Sequence, residues 1–377
     1  MKKILIAVIV FLGIATSCGN ASKPTLPEGD IAPEYSLDDD IGEMLLVGFR
    51  GIALDSSDHI WRDLTHFRVG SVILFDYDAQ SGKRGRNIRG VQQVQSLCRQ
   101  LRRVKPDLLI GIDQEGGAVS RLHQRYGFTP VASHKVSAMG GDDSVRRAAR
   151  MTAQMLREVG INLNFAPVAD VDVNPDCPVI GRMGRSFSSS SEQVAKCCKI
   201  WLEEQKKQGV ASCMKHFPGH GSATGDTHKG LVDVSDTWKE LELDPYRGLV
   251  KEVPMVMTAH VINRRLDASS LPASLSPVIT SYLRDTLGFN GVIVTDDLAM
   301  GAIVNQYSFE TAIRMAIEAG ADLLCLSNNG GKYDTELVPK TVRIIKKLVK
   351  EGLVSGERIH ESAERVRALK KSLSSGK

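Results

Sequence analysis

The sequence predicts a (β/α)₈ barrel, also called a TIM barrel, and three observations support the prediction. Eight short, mostly apolar segments recur along the 377 residues, amphipathic helical patterns separate them, and no glycine-rich dinucleotide-binding motif opens a helix. Short apolar runs are typical of parallel strands that helices cover on both faces. A doubly wound open sheet is the alternative. That fold usually binds a dinucleotide through a glycine-rich motif, and this sequence lacks the motif.

The predicted strands follow one another at spacings that leave room for a helix. They are MLLVGF (44–49), SVILF (71–75), LLIGID (108–113), LNFAPV (163–168), ASCMKHF (211–217), PMVMTAH (254–260), VIVTD (292–296) and DLLCLS (322–327). Between them, apolar residues recur at helical spacing, as Val194, Cys197, Cys198 and Trp201 do. The barrel therefore extends from about Ile41 to Leu369 as a single catalytic domain without a second domain.

The composition is that of an ordinary globular enzyme. The chain is 42% hydrophobic and 24% charged, with a formal net charge of +4. This balance lacks the basic excess of a nucleic-acid-binding protein, so no nucleic-acid partner is expected. Beyond the first twenty residues, six cysteines show no C-x-x-C spacing. We expect buried free thiols and no structural zinc site.

The first eighteen residues read as an export signal. Lys2 and Lys3 precede an apolar run over 4–14, which is too short to span a bilayer, and small residues precede Cys18. The pattern resembles a bacterial lipobox, although Ala15 stands where leucine is usual. We expect lipidation of Cys18, a tether over 19–35, and an exported catalytic domain over 36–377 whose only membrane contact is the lipid anchor. A simple cleaved secretion signal is the alternative.

Charged residues end several predicted strands. Asp113 ends the third, Lys215 and His216 lie near the end of the fifth, His260 ends the sixth, and Asp296 ends the seventh. In such barrels the catalytic groups come from the carboxyl ends of the strands. These side chains are therefore predicted to converge on one mouth.

The stretch KHFPGHGSATGDTH (215–228) could hold a metal, bind a phosphate or move a proton. His216 and His220 have the spacing of a helical zinc pair, but Pro218 between them breaks a helix at a cost of ~3 kcal/mol. The glycines fit no phosphate-binding loop. Asp226 can orient the imidazole of His228 as a general acid/base. A metallohydrolase remains the alternative.

Five motifs together carry a family resemblance. KHFPGHG with the following Asp-x-His, IDQEGGAVSRL, NFAPVADVDVNP, GRSF and GVIVTDDLAM resemble the bacterial β-N-acetylglucosaminidases of glycoside hydrolase family 3. The resemblance implies a barrel, a covalent glycosyl-enzyme and retained anomeric configuration, with no cofactor and no metal. The resemblance further implies that Asp296 is the nucleophile and that His228 is the acid/base, oriented by Asp226. It implies that the sugar is contacted by Asp113, Arg121, Arg185, Lys215 and His216.

Two of these assignments involve a choice between neighbours. GRMGRSF offers Arg182 and Arg185, and we prefer Arg185 because Ser-Phe follows it. Asp297 adjoins Asp296, but neighbouring side chains on a strand point to opposite faces, so only one can face the mouth. The family pattern favours Asp296.

The sequence thus predicts an exo-acting β-N-acetylhexosaminidase that removes terminal GlcNAc from peptidoglycan fragments or other glycans. A phosphorylase that uses the same site is an alternative, because a neutral imidazole does not repel phosphate as a carboxylate would. A non-catalytic glycan-binding lipoprotein is a further alternative, which the intact Asp226, His228 and Asp296 disfavour.

Overall fold

The computed structural model describes residues 35–374, and the chain from Ser36 onward forms one compact unit. Cys18 and the expected export signal lie outside the described residues, as does all but the last residue of the expected tether. Within 35–374, no helix combines the length and the apolar character needed to cross a bilayer.

Eight parallel strands form the barrel wall. They are β1 (Leu45–Gly48), β2 (Ser71–Ile73), β3 (Leu109–Ile112), β4 (Leu163–Asn164), β5 (Ala211–Phe217), β6 (Met255–Thr258), β7 (Val292–Thr295) and β8 (Leu324–Leu326). Neighbours pair in the order β7-β6-β5-β4-β3-β2-β1-β8, and a parallel bridge between Val294 and Leu323 joins β7 to β8. The predicted (β/α)₈ barrel is confirmed.

Helices cover the outside of this wall. They are α1 (Leu37–Glu43), α2 (His59–Thr65), α3 (Val91–Val104), α4 (His134–Met139), α5 (Asp142–Val159), α6 (Ser191–Lys207), α7 (Asp244–Leu249), α8 (Pro277–Ser281), α9 (Gly301–Val304), α10 (Phe309–Ala319), α11 (Leu337–Lys350) and α12 (Gly356–Ser374). Helix α6 begins where Ser190 accepts the backbone N–H of Gln193. Its predicted apolar face is buried, including Val194 and Trp201.

One predicted strand is shorter than expected. The apolar run over 163–168 yields only Leu163–Asn164 as β4. Pro167 lacks a backbone N–H, so regular strand pairing cannot continue through it. A single bridge between Val168 and Lys215 resumes the contact with β5.

The core has two parts because strand side chains alternate between faces. In β1, Leu45 and Val47 pack among the residues beneath the helices, whereas Leu46 belongs to the cluster inside the barrel. In β7 the inward residues are Val292 and Val294. The same alternation carries the next inward position to 296, at the carboxyl end of the barrel.

The six described cysteines are free and buried, which confirms the expected thiols. They are Cys98, Cys177, Cys197, Cys198, Cys213 and Cys325. Burial raises the pKa of Cys98 to about 12, since a thiolate is poorly solvated in the core. These thiols are inert packing groups at neutral pH.

Candidate active site

A cavity of about 680 Å³ opens at the carboxyl ends of the strands. Its lining includes all but one of the residues in the described range that were predicted for the site: Asp113, Arg121, Arg185, Lys215, His216, His228 and Asp296. Asp226 lies beside His228 instead. The predicted residues therefore meet at one place, at the end of the barrel where such enzymes carry their chemistry.

A buried charge network forms one side of the cavity, with Glu115 at its centre. Arg185 binds Glu115 with two hydrogen bonds of 2.8 Å, and Lys215 Nζ lies 2.7 Å from Glu115 Oε1. Lys215 Nζ also donates to Asp113 Oδ1 at 2.7 Å. Arg121 Nη2 lies 3.6 Å from Asp113 Oδ2. Of the two arginines in GRMGRSF, Arg185 lines the cavity and Arg182 does not.

The charges in this network hold one another in the ionised form. Burial alone would raise the pKa of Glu115, but Arg185 and Lys215 hold that pKa well below its usual range. Burial opposes the charge on Lys215, yet Asp113 and Glu115 raise the pKa of Lys215 above its usual value. The network stays charged at neutral pH and presents fixed donors and acceptors to a ligand.

Asp170 fixes the orientation of His216. Its fully buried carboxylate accepts from His216 Nδ1 at 2.7 Å and from the backbone N–H groups of His216 and His220 at 3.2 and 2.8 Å. The pairing register of β5 shifts between Lys215 and Phe217, as at a β-bulge, and such a bulge can re-aim neighbouring side chains. Both Lys215 and His216 consequently line the cavity.

Asp296 follows β7 at the barrel mouth. Its Oδ1 accepts the backbone N–H of Asp297 at 2.8 Å. Burial would raise the pKa of Asp296, but the imidazoles of His260, His216 and His228, together with that N–H, lower it to about 2. Asp296 is therefore a carboxylate, not a carboxylic acid, at neutral pH.

Asp297 also lines the cavity, so the expectation that only one of the two neighbouring carboxylates faces the mouth is wrong. Its oxygens, however, are held by other groups. The hydroxyl of Ser327 donates to its Oδ2, and the backbone N–H groups of Ser327 and Ala299 donate to its Oδ1 at 3.1 and 3.2 Å. These three donors tie Asp297 to the segment after β8 and to its own turn. Of the two adjacent carboxylates, Asp296 has the fewer hydrogen-bond donors.

The pair Asp226 and His228 lies on an outer loop. Asp226 Oδ1 is 2.9 Å from His228 Nδ1 and accepts the backbone N–H of His228 at 2.9 Å. Nε2 of His228 is left facing away from this bond, and the side chain is 66% exposed. The predicted pairing of carboxylate and imidazole is therefore present in the structure.

The nearby glycines serve close packing as well as loop geometry. A Cβ on Gly221 would lie 1.8 Å from the carbonyl oxygen of Val171. Gly219 has φ +123° and lies against Glu242. Gly221 is required by the close approach of the Val171 backbone, and Gly219 is favoured by its positive φ.

Sequence reasoning missed Glu115 and Asp170 as site residues. Both lie in motifs already singled out, IDQEGG and NFAPVADVDVNP, yet each follows its strand by several residues. A charged residue within an otherwise apolar or glycine-rich loop is the signal that points to them. His260, noted at a strand end, is buried and binds Ser274 Oγ at 2.6 Å and the carbonyl of Asp297 at 3.0 Å.

Within residues 35–374, no group of three or more His, Cys, Asp or Glu side chains is arranged to hold a metal ion. His216 lies in β5 and His220 in the following loop, so they do not share a helix face. Their rings meet edge to face, 5.7 Å apart.

Comparison with known proteins agrees with this geometry. The profile of the Glycosyl hydrolase family 3 N terminal domain matches residues 36–369. The chain belongs to glycosyl hydrolase family 3. The family predicted from the sequence motifs is thus confirmed, and with it the prediction of a glycoside hydrolase.

Three relatives illustrate the match. A β-hexosaminidase of Methylococcus capsulatus is 34% identical over 272 residues, which are 70% of this chain and 77% of that protein. The structure of a β-N-acetylglucosaminidase from Paenibacillus sp. FPU-7 superposes with a TM-score of 0.82 at 36% identity, covering 90% of this chain and 63% of that one. A β-N-acetylhexosaminidase from Beutenbergia cavernae gives 0.79 at 27% identity, covering 90% and 99%.

Proposed function

We propose that this family 3 chain is a retaining exo-β-N-acetylhexosaminidase that removes terminal β-linked GlcNAc. The observation that carries the proposal is one cavity that joins a half-buried, ionised Asp296 to the exposed imidazole of His228, which Asp226 holds. Retaining hydrolysis needs a carboxylate nucleophile and a group that gives and takes a proton. The names of the relatives support GlcNAc as the sugar.

In the proposed first step, Asp296 forms a bond to the anomeric carbon of the sugar as the bond from that carbon to the leaving oxygen breaks. His228 Nε2 gives its proton to the leaving oxygen. The Asp226 carboxylate stabilises the imidazolium through Nδ1 and so leaves Nε2, on the other side of the ring, free to face the leaving oxygen. In the second step, His228 takes a proton from water, the water oxygen bonds to the anomeric carbon, and Asp296 is released.

We assign recognition of the sugar to the buried network and its neighbours. Lys215 and Arg121 can donate to sugar hydroxyls, and Asp113 can accept from them. Arg185 and His216 are held by Glu115 and Asp170, so little conformational entropy is lost when a sugar binds.

A covalent label tests this assignment. An activated fluoro-sugar should react with the wild type and leave one labelled peptide, with mass spectrometry placing the label on Asp296. The Asp296→Ala variant is the control and should take no label. A label on Asp297, or none on an otherwise folded protein, would overturn the assignment.

A phosphorylase is a second candidate. The proposed acid/base is the imidazole of His228, whose side chain is 66% exposed, and an uncharged imidazole does not repel phosphate as a carboxylate would. Turnover of aryl β-GlcNAc and aryl β-glucoside should be compared with and without phosphate. Free GlcNAc as the product in both conditions supports hydrolysis. A sugar 1-phosphate as the product would show that the protein is a phosphorylase and not a hydrolase.

The cellular setting is a separate proposal. The lysines, apolar run and Cys18 of the N-terminus support an exported lipoprotein in a bacterial envelope. Peptidoglycan fragments or other glycans would be its substrates there. Cys18→Ala should move the protein from the membrane fraction to the soluble fraction. Wild-type protein that is already soluble after export would refute the lipid anchor.

A further inference from the structure

The loop that carries His228 is tied to the segment that follows Asp296. We call residues 226–230 the acid/base loop and residues 300–305 the dock. The N–H of Gly301 donates to the carbonyl of His228 at 3.1 Å, and the N–H of Ala302 donates to the carbonyl of Thr227 at 3.0 Å. Asn305 Nδ2 donates to the carbonyl of Lys229 at 3.1 Å.

These bonds have a structural cause on the side of the dock. The first N–H groups of a helix have no partner within the helix, and Gly301 and Ala302 begin α9. The acid/base loop supplies the missing acceptors. Asn305 follows the last residue of α9, so the loop contacts both ends of this short helix.

Gly301 permits the close approach. A Cβ at this position would lie 2.6 Å from the carbonyl oxygen of His228 and 2.8 Å from that of Lys229. Both neighbours are backbone atoms, so they cannot move aside without moving the loop. A side chain at 301 must therefore displace the residue that is proposed to transfer the proton.

A second contact holds the loop from the barrel side. Thr227 is buried although His228, the next residue, is exposed. Its Oγ1 lies 3.1 Å from Nε2 of His220, whose own backbone N–H is held by Asp170. Thr227 is thus the point at which the loop is anchored, and His228 extends from it.

We propose that the dock and His220 set the position of the acid/base relative to the nucleophile, so that Gly301, Asn305 and His220 are positioning residues that act through His228. This rests on the proposed roles of His228 and Asp296. Because the dock begins four residues after Asp296, the same segment of chain carries the nucleophile and locates its proton donor. A small displacement of a reacting group can cost about 10²-fold in rate.

Kinetics on two leaving groups test the role. Gly301→Ala and Asn305→Ala should lower kcat/KM about 10- to 10²-fold for a disaccharide and leave it nearly unchanged for an activated aryl glycoside. Labelling of Asp296 by the fluoro-sugar should persist. The matched controls are Gly248→Ala, where an added Cβ meets nothing within 4 Å, and Asn290→Ala, an exposed asparagine; both should behave as wild type.

A double-mutant comparison separates positioning from a general structural effect. In a His228→Ala background, Asn305→Ala should cost nothing further, because its effect passes through the missing imidazole. Additive losses would overturn the proposal, as would equal losses on both leaving groups.

Proteolysis tests the dock without using activity. Lys229 is exposed, and trypsin can cut after it once the loop leaves the dock. Gly301→Ala and Asn305→Ala should speed cleavage between Lys229 and Gly230 by about fivefold or more, the effect of one lost hydrogen bond. Unchanged cleavage refutes the dock. A wild type without glycosidase turnover refutes the proposed function, while this cleavage assay still decides whether the dock exists.

Discussion

The two sides of the cavity are built in opposite ways. On one side, Glu115 and Lys215 are buried, Arg185 is nearly so, and both cations bind Glu115 at 2.7–2.8 Å. On the other, His228 is exposed and depends on Asp226 and on the docked loop. Buried charges are costly to rearrange, so the network suits a fixed sugar site. A loop that rests on hydrogen bonds can open to admit and release sugar.

Loss of Asp296, the proposed nucleophile, should have the largest effect. Asp296→Ala should lower kcat by about 10⁴-fold or more, the scale on which removal of one member of a catalytic unit acts. The barrel should stay folded, since the deleted carboxylate accepts only the neighbouring N–H of Asp297. Circular dichroism with an aryl β-GlcNAc assay measures both. Substantial residual turnover would contradict the proposed role.

Loss of His228, the proposed acid/base, should produce a selective effect. His228→Ala should slow disaccharides by about 10²–10⁴-fold. Activated aryl glycosides should be affected far less in kcat/KM, because a phenolate leaves without a proton. The second step then lacks a base, so azide should restore turnover and yield a β-glycosyl azide. Equal slowing of good and poor leaving groups without azide rescue would show that His228 is not the acid/base.

A substitution on the buried side of the cavity should destabilise the protein more than a substitution on the exposed side. Glu115→Gln leaves Arg185 and Lys215 without their shared carboxylate and should lower the free energy of unfolding by about 3–5 kcal/mol. The exposed His228→Ala should change it by less than about 0.5 kcal/mol. Urea denaturation measures both values, with the exposed Glu240→Gln as the control. Similar values for Glu115→Gln and His228→Ala would remove the contrast between the two sides.

Asp226→Ala should give the His228 pattern in weaker form. The imidazole remains but loses its fixed orientation, so we expect about a tenfold loss of kcat/KM on disaccharides. Kinetics on the two classes of leaving group check this. A loss as large as that of His228→Ala would mean that Asp226 does more than orient the ring.

Acid should weaken the buried side through protonation of Glu115. The pKa of Glu115 is lowered on folding, so its ionisation stabilises the protein above the unfolded pKa of about 4.3. That contribution is lost as the pH falls toward the lower folded value. Below about pH 4 the free energy of unfolding should therefore fall more steeply for the wild type than for Glu115→Gln. If the free energy of unfolding fell equally steeply with pH for the wild type and for Glu115→Gln, ionisation of Glu115 would not be linked to folding.

The sequence by itself determined the features that depend on neighbours along the chain. Apolar runs and helical spacing predicted all eight strands, and strand alternation carried Asp113, Lys215 and Asp296 to the mouth. The i, i+2 spacing of Asp226 and His228 was enough to predict their bond, because such residues meet within one turn.

Only the tertiary structure decided the contacts between distant segments. Glu115 meets Arg185 across 70 positions, Asp170 meets His216 across 46, and Ser327 meets Asp297 across 30. The contact of Gly301 with His228 belongs with them. No local pattern records these pairs, because closure of the barrel brings the ends of different strands together. For Glu115 and Arg185, the charge of each is stable in the interior only when the other is present.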